Sequence, residues 1–272
     1  MPCKLICLPD FVIIGANKAG TTSVANYLNQ HPEIHISRVK EPMFFSTNAD
    51  MVSAEEEKAT LARPFCTITL NEYSSMFESR KESAKLLGEA STAYLANPNS
   101  SARLMKKIVP EIKIIAILRE PTARAISAYK MCFGNGIEKR SFTEIVENAQ
   151  YEKKILPGQG VKEYIRNGLY SQLLSPYFQY FQKKQILLLD HEELKRAPQD
   201  FMYAIYQFLQ IAPIENDFEK KYNTEADNLQ EALNIDESDI EKLKKCYNDE
   251  KIALKQGFNF EFENYYVPVV SG

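Results

Sequence analysis

The chain has 272 residues, of which 44% are hydrophobic and 25% are charged, a composition that excludes intrinsic disorder and supports a sizeable core. The net charge of -3 and a pI near 5.8 argue against broad nucleic-acid binding, which needs an excess of lysine and arginine. The sequence contains no run of about 18 apolar residues, so it predicts no membrane span.

The cysteine pattern points to a reducing compartment. The five cysteines are odd in number, scattered and without metal-ligand spacing: Cys3, Cys7, Cys66, Cys132 and Cys246. They predict neither a disulfide framework nor a zinc site. The apolar part of residues 1–10 is too short for a secretory signal. We therefore expect a cytoplasmic protein without nucleic-acid partners and without an integral membrane segment, and the sequence leaves its oligomeric state open, a homo-oligomer included.

The amino-terminal stretch predicts a strand, a tight turn and a helix. Residues 11–14 are apolar and mostly β-branched, and apolar residues recur at helical spacing up to Leu28. The turn between them carries Gly15, Lys18 and Gly20, and three hydroxyl residues open the helix. Such a turn directs backbone N–H groups, the positive helix end and a cation to one spot. We expect it to bind a phosphate or sulfate group.

The spacing of this loop differs from that of a nucleoside-triphosphate P-loop, in which a lysine follows the second glycine and a Ser or Thr holds magnesium. Here Thr21 follows Gly20, and the only lysine, Lys18, lies inside the loop. A triphosphate with its metal would lack its main cation, whereas a sulfuryl group on a phosphate needs less positive charge and no metal. The structural alternative is an ordinary glycine turn before a helix.

The next segments lead to the same edge of the expected sheet. Residues 34–37 alternate like a short strand, and residues 40–45 follow at its carboxyl end, the edge that faces ligands in open α/β sheets. Residues 46–85 predict an insertion with short helices, including 70–77, that can cover the site; a solvated connector is the alternative. His31 and His35 lack a third ligand nearby, so a helix-end cap and a half-buried strand position are favoured for them.

Two further strands end on chemically useful residues. Residues 85–94 predict a short buried strand with Glu89 at its carboxyl end, where a cap for the residues that follow is the structural alternative. A helix at 102–109 precedes the most apolar stretch, 112–118, which predicts a strand buried on both faces. That strand ends on Arg119.

The helix after Arg119 carries Arg124 and Ser127 three residues apart, so one face presents both side chains. A guanidinium and a hydroxyl at the carboxyl end of a strand suit a second, isolated phosphate. The alternative is a surface arginine paired with Glu120 or Glu111.

The rest of the chain continues the alternation of helices and strands. The remaining predicted elements are a strand at 185–190 and helices at 142–149, 170–181, 201–209 and 240–254. Apolar strands that alternate with helices predict an α/β fold in which a central, mostly parallel sheet is flanked by helices. Without repeats or a clear linker, residues 1–272 predict a single domain.

Several segments together resemble a known family. Residues 18–23, Lys-Ala-Gly-Thr-Thr-Ser, resemble the 5′-phosphosulfate loop of sulfotransferases that use 3′-phosphoadenosine 5′-phosphosulfate (PAPS). Residues 117–129 resemble their 3′-phosphate element, with a serine eight residues after the arginine. Segments at 40–45, 88–94, 168–170 and 186–190 match in the same order. The resemblance is closest to the heparan sulfate and related bacterial branch, covers roughly residues 11–211, and implies a P-loop-like three-layer fold.

The resemblance also implies roles for residues. Those implied to contact PAPS are Lys18, Ala19, Gly20, Thr21, Thr22, Ser23, Arg119, Ser127 and Tyr170. Glu89 is implied as the general base that deprotonates an acceptor hydroxyl of a glycan, lipid or small molecule, while Lys18 stabilises charge on the departing phosphate. The expected reaction is metal-independent O-sulfation, with 3′-phosphoadenosine 5′-phosphate (PAP) as product. His191 is the rival base, although we expect it to be a solvent-facing turn residue.

The chain also departs from that branch. Residues 223–239 contain no lysine or arginine where the glycan enzymes carry a basic segment, so late nucleotide contacts are expected from Lys220 or Lys221. One alternative is a P-loop kinase or NTPase, because the strand ending at Asp190 mimics one that holds magnesium. Another is a nucleotide-binding protein that has lost catalysis.

Overall fold

A computed structural model describes residues 6–47, 68–149, 163–219 and 235–262. The strands in these ranges are β1 (Phe11–Gly15), β2 (Ile34–Ile36), β3 (Leu86–Ala90), β4 (Lys113–Leu118) and β5 (Ile186–Asp190). They form one sheet in the order β2-β3-β1-β4-β5, and every pairing is parallel.

Helices connect and cover these strands. They are α1 (Thr21–Gln30), α2 (Phe44–Thr47), α3 (Leu70–Ser75), α4 (Ala93–Ala96), α5 (Pro98–Ile108), α6 (Pro121–Gly134), α7 (Phe142–Glu147), α8 (Tyr170–Tyr180), α9 (His191–Arg196), α10 (Pro198–Leu209), α11 (Glu237–Lys245) and α12 (Asn248–Phe258). Helix α1 packs on α10, and α8 packs on both α5 and α12. The predicted three-layer α/β fold is confirmed.

Strands β1 and β4 form the centre of the sheet because their apolar side chains have no access to solvent. Residues 11–14 and 114–118 are fully buried, as expected for parallel strands covered on both faces. The chain leaves β1 toward one edge of the sheet and leaves β4 toward the other. The loops after these two neighbouring strands therefore diverge, which opens a crevice for a ligand at their carboxyl ends.

The carboxyl-terminal part differs from the prediction. The single helix expected at 240–254 is two helices, α11 and α12, separated by Cys246 and Tyr247. The Tyr247 ring is buried, and its hydroxyl lies 3.2 Å from the carbonyl oxygen of Tyr164 and 3.1 Å from that of Ile165. This tertiary contact interrupts a segment whose apolar spacing is continuous.

Some predictions lie outside the described residues. These are residues 48–67 of the insertion, Cys3, Cys66, and the nucleotide contacts expected from Lys220 and Lys221. Among the helices of the described ranges, none is long and apolar enough to cross a bilayer. The single domain stays a prediction.

Gly88 in β3 provides a test of this packing, because it faces the fully buried Phe11 across the sheet. A Cβ atom at position 88 would lie 2.2 Å from Cζ of Phe11, so Gly88→Ala should lower the free energy of unfolding by about 1–3 kcal/mol. Gly257→Ala is the control, since that Cβ enters open space on α12 and should stabilise the helix by about 0.5–1 kcal/mol. Urea unfolding followed by circular dichroism measures both, and equal stability of the two variants would contradict the packing.

Candidate functional site

The turn after β1 leaves the start of helix α1 open for an anion. Gly20 precedes the helix with a φ of 79°, no side chain caps the amino end, and the first turn contains no acidic residue. The positive φ favours glycine here, and a Cβ on Gly20 would lie 2.9 Å from Cδ2 of Leu194, so that side chain would have to shift. The uncapped N–H groups and the positive end of the helix dipole suit a phosphate or sulfate.

Lys18 joins this turn to helix α6. Its backbone is left-handed, with a φ of 67°, a conformation that costs free energy for a residue with a side chain. Its Nζ lies 3.7 Å from Sδ of Met131 in α6, and its carbonyl oxygen accepts a hydrogen bond of 3.0 Å from Nη1 of Arg119. The loop and the end of β4 are thus bonded directly.

Arg119 and its neighbours form the second candidate anion site. The amino end of α6 is already occupied, because the Glu120 carboxylate accepts from the backbone N–H of Ala123 at 2.8 Å. An anion here therefore depends on side chains, and Arg119 is half-buried while Ser127 is largely buried. Tyr170 is fully buried and donates its hydroxyl to the carbonyl oxygen of Arg119 at 2.8 Å, which fixes this corner.

Arg124 differs from its sequence neighbours. The helical spacing predicts that one face presents it together with Ser127 to an anion, yet its guanidinium is fully enclosed and Nη2 donates to the carbonyl oxygen of Tyr164. The prediction of a shared anion-binding face was wrong for Arg124, because its long side chain reaches the main chain of a distant segment.

Glu89 lies in β3, opposite Val12 of β1, and is fully buried. Its Oε1 accepts hydrogen bonds from the hydroxyls of Tyr73, at 2.8 Å, and Tyr94, and its Oε2 accepts from Oγ of Ser91 at 2.7 Å. Burial raises the pKa of this carboxyl group from 4.5 to about 7, against the opposing effect of the three hydroxyl donors. A proton acceptor of this strength suits general-base chemistry near neutral pH.

The predicted insertion contributes one of these donors. Helix α3 begins at a capping box in which Thr69 accepts from the N–H of Glu72 and the Glu72 carboxylate accepts from the N–H of Thr69. The helix carries Tyr73, whose ring stacks on Phe44 with 4.3 Å between centroids. Phe44, which follows β2, therefore packs on the ring of the tyrosine that donates to Glu89.

A cavity of about 330 Å³ lies between the start of α1 and the segment after β2. Thr21 and Thr22 of the anion loop line one side, and His35, Glu41 and the segment between them line the other. Ala90, the residue after Glu89, also reaches its wall. The cavity thus joins the loop to the end of β3.

The three histidines of the chain have different environments. His31 lies at the end of α1, where its Nε2 is 2.8 Å from the carbonyl oxygen of Ala212 and its Nδ1 accepts from the N–H of Glu33. Its expected structural role is confirmed. His35 is buried on β2 beside the cavity, and burial together with two nearby cations lowers the pKa of its imidazole.

For His191, the prediction of a solvent-facing turn was wrong. The residue is buried at the start of α9, and its Cδ2 would lie 3.3 Å from a Cβ placed on Gly20. Burial and the nearby Arg119 and Lys195 lower its pKa to about 3, so the ring is neutral at ordinary pH. The sequence did contain the signal, since His191 follows a strand that ends at the same edge as β4.

Asp190 does not resemble a magnesium ligand in its contacts. It is buried and accepts from the N–H of Glu192 at 3.0 Å, which caps α9. In the described ranges, no group of three or more His, Cys, Asp or Glu side chains is arranged to hold a metal ion. Metal independence stays a prediction.

Known proteins resemble this chain in sequence and in fold. A family model described as a sulfotransferase domain matches residues 8–265. The chain belongs to the sulfotransferase family. A sulfotransferase from Alicyclobacillus acidocaldarius superposes with a TM-score of 0.73 at 25% sequence identity, over 94% of this chain and 98% of that one. A sulfotransferase domain from the curacin biosynthetic pathway shares the fold, with a TM-score of 0.54 at 13% sequence identity. That superposition covers 94% of this chain and 99% of the curacin domain.

Curated sulfotransferases resemble the chain over part of their length. The membrane-associated sulfotransferase kil1 of Dictyostelium discoideum is 36% identical over 126 residues, 46% of this chain and 23% of that protein. The bifunctional heparan sulfate N-deacetylase/N-sulfotransferase 1 of Caenorhabditis briggsae is 27% identical over 78% of this chain and 24% of its own length. Carbohydrate sulfotransferase 15 of Homo sapiens is 23% identical over 78% of this chain and 45% of its own length. The sulfotransferase chain described here thus spans less than half the length of these relatives.

The raised pKa of Glu89 predicts a specific pH dependence of stability. Because the folded-state pKa, about 7, exceeds the ordinary value of 4.5, this group costs nothing below pH 4.5 and destabilises the fold progressively up to pH 7. The full cost is about 3 kcal/mol, and Glu89→Gln should remove it. Urea unfolding between pH 4.5 and 8 should show wild-type stability falling relative to the variant by about that amount. A difference that stays constant with pH would contradict the raised pKa.

Proposed function

We propose that the chain transfers the sulfuryl group of PAPS to an acceptor hydroxyl group and releases PAP. The supporting observation is the pair of anion-binding positions at one edge of the sheet, the Lys18 loop and the Arg119 corner, joined by a 3.0 Å hydrogen bond. PAPS carries a phosphosulfate on the 5′-oxygen of its ribose and a separate phosphate on the 3′-oxygen. Two linked sites match a donor with two anionic ends, and membership of the sulfotransferase family supports the same conclusion.

Residues of the first loop would hold the 5′-phosphosulfate. The open N–H groups of α1, the hydroxyls of Thr21, Thr22 and Ser23, and the Lys18 ammonium are all donors. Gly20 adopts the left-handed backbone of this turn and has no side chain to keep an anion from the backbone. The residues present therefore fit this end of the donor.

The Arg119 corner would hold the 3′-phosphate. A guanidinium with a serine hydroxyl is the donor set that a phosphate requires, and Ser127 supplies that hydroxyl from α6. Tyr170 acts on this end by fixing the Arg119 carbonyl. In this proposal Tyr170 is therefore a positioning residue rather than a direct contact of the nucleotide.

In the reaction, the acceptor oxygen attacks sulfur in line, and the bond between sulfur and the bridging phosphate oxygen breaks. Glu89 takes the proton of the acceptor hydroxyl, for which its pKa of about 7 is well placed. Lys18 and the amino end of α1 stabilise the negative charge that develops on the departing phosphate. These groups stabilise that charge without a metal ion.

The cavity beside the loop is the acceptor site in this proposal. Its lining includes Asn26, Asn29 and Ser37, polar residues that suit a hydroxyl-rich molecule. Relatives are named for heparan sulfate and carbohydrate, which also favours a sugar. A panel of 4-nitrophenyl β-D-glucoside, 4-nitrophenol and dodecanol, with labelled PAPS, separates glycan, phenol and lipid acceptors.

The kinase or NTPase alternative has weaker support. Thr21 replaces the phosphate-binding lysine, and Asp190 caps a helix.

For the cellular location, we propose the cytoplasm. Fractionation of the expressing cells tests this proposal against the membrane association that the name of kil1 records.

Loss of either anion contact should weaken donor binding. Charge-assisted hydrogen bonds contribute about 1.5–3 kcal/mol, so Lys18→Ala and Arg119→Ala should each raise the Kd for PAP about 10-fold to 100-fold. Isothermal titration with PAP measures this, with Lys184→Ala, an exposed lysine away from the site, as the control. Thermal stabilisation by ATP with magnesium but not by PAP would overturn the assignment of the donor.

Glu89→Gln should separate binding from turnover. The variant keeps a hydrogen-bonding side chain of the same size, so PAP affinity should stay unchanged, while kcat falls about 100-fold or more because the proton acceptor is lost. The wild-type kcat/KM should rise with pH through about 7 as the Glu89 carboxylate forms. Glu111→Gln, on the exposed turn before β4, is the control. Normal turnover by Glu89→Gln would show that another group is the base.

A further inference from the structure

The ammonium group of Lys18 has a contact in helix α6 as well as its place in the anion loop. Its Nζ lies 3.7 Å from the Sδ atom of Met131, which is 113 residues away in sequence. A thioether sulfur is a weak hydrogen-bond acceptor, so this contact attracts the ammonium group without neutralising its charge. Met131 therefore influences where the charge of Lys18 lies.

The position of Met131 on α6 relates it to the Arg119 corner. It lies four residues after Ser127, so the two side chains share one face of the helix. The carbonyl oxygen of Lys18 accepts a hydrogen bond from Nη1 of Arg119 at 3.0 Å, which fixes the main chain of Lys18 at the end of β4. The side chain of Lys18 therefore reaches from the anion loop to the face of α6 that carries Ser127.

Confinement matters for this lysine because a long, flexible side chain loses much rotamer freedom when it is held in one place. A charge stabilises a transition state most when it is already in position before the reaction. The left-handed backbone of Lys18, with a φ of 67°, sets the direction in which its side chain leaves the loop. The sulfur of Met131 contacts the far end of the same side chain, so Lys18 is held at both ends.

We propose that Met131 is a positioning residue for the ammonium group of Lys18: its sulfur holds that charge beside α6, where the departing phosphate needs it. The inference rests on the proposed function for the identity of that phosphate. Met131 itself neither contacts the donor nor moves a proton. A carboxylate at position 131 would instead pair with Lys18 and reduce the positive charge that is available to the donor.

Met131 also has a packing role, which a test must separate from its contact with Lys18. The residue is half-buried and packs against a second apolar core that α6 forms with α7 and α11. Leucine fills a similar volume without a sulfur atom, so Met131→Leu retains most of the packing and removes the acceptor. A role in packing alone would leave Lys18 unaffected by that substitution.

The first test measures the contact itself and needs no substrate. In protein labelled with 13C at the methionine methyl groups, the NMR signal of Met131 is assigned by its absence in Met131→Leu. We expect Lys18→Ala to shift this signal, because the substitution removes the ammonium charge from the sulfur. The signal of Met202, a fully buried residue of α10, should not move and is the internal control. A Met131 signal that does not respond to Lys18→Ala would overturn the inferred contact.

The second test measures turnover, with PAPS and whichever acceptor of the panel above reacts fastest. Met131→Leu should lower kcat about 3-fold to 10-fold and change the Kd for PAP less than about 2-fold, because a loosely held charge still attracts an anion but is poorly placed in the transition state. Met202→Leu is the matched control and should keep both values. A Met131→Leu variant with the kcat of this control would overturn the positioning role.

The opposite substitution adds a competing charge. Met131→Glu should raise the Kd for PAP about 10-fold or more, since the new carboxylate pairs with Lys18 and repels the anion. An unchanged Kd for PAP in this variant would contradict the contact between position 131 and Lys18. Absence of transfer to every acceptor of the panel would instead refute the proposed function, and the methyl signal would still decide whether Met131 holds Lys18.

Discussion

The hydrogen bond between Arg119 and the carbonyl oxygen of Lys18 is the contact on which the candidate site depends. It forms because β1 and β4 pair in parallel, so the loops that follow them emerge at one edge of the sheet. That bond sets the separation of two groups of positive charge that are 101 residues apart in sequence. Burial of both strands makes this separation difficult to change, because the core on either side is closely packed.

The environment of Glu89 balances two opposing effects. Complete burial disfavours the carboxylate, and three hydroxyl donors favour it, with burial the stronger. A buried carboxylate without those donors would be still harder to ionise, and an exposed one would be a weak base near neutral pH. The Tyr73 and Tyr94 rings also both pack edge-on against Phe45. The site therefore obtains a useful proton affinity at a cost in stability.

Much of this arrangement could be predicted from local patterns in the sequence. Apolar runs located β1 and β4, and the rule that ligands meet the carboxyl ends of parallel strands selected Lys18, Glu89 and Arg119. Contacts between distant segments could not be predicted, because no periodicity records them. The bond from Tyr73 to Glu89 and the burial of His191 against Gly20 are of this kind. The sequence did predict that residues 40–45 lie at the edge that faces ligands, but the left-handed backbone of Glu41 could not be predicted, because composition does not indicate it.

The central claim is that the two anion-binding positions hold opposite ends of one nucleotide, and a crystal structure of the chain with PAP tests it most directly. We expect the 5′-phosphate on the loop of residues 18–23 and the 3′-phosphate within hydrogen-bond distance of Arg119 and Ser127. A nucleotide bound elsewhere, or one whose 3′-phosphate makes no contact with Arg119, would contradict that claim.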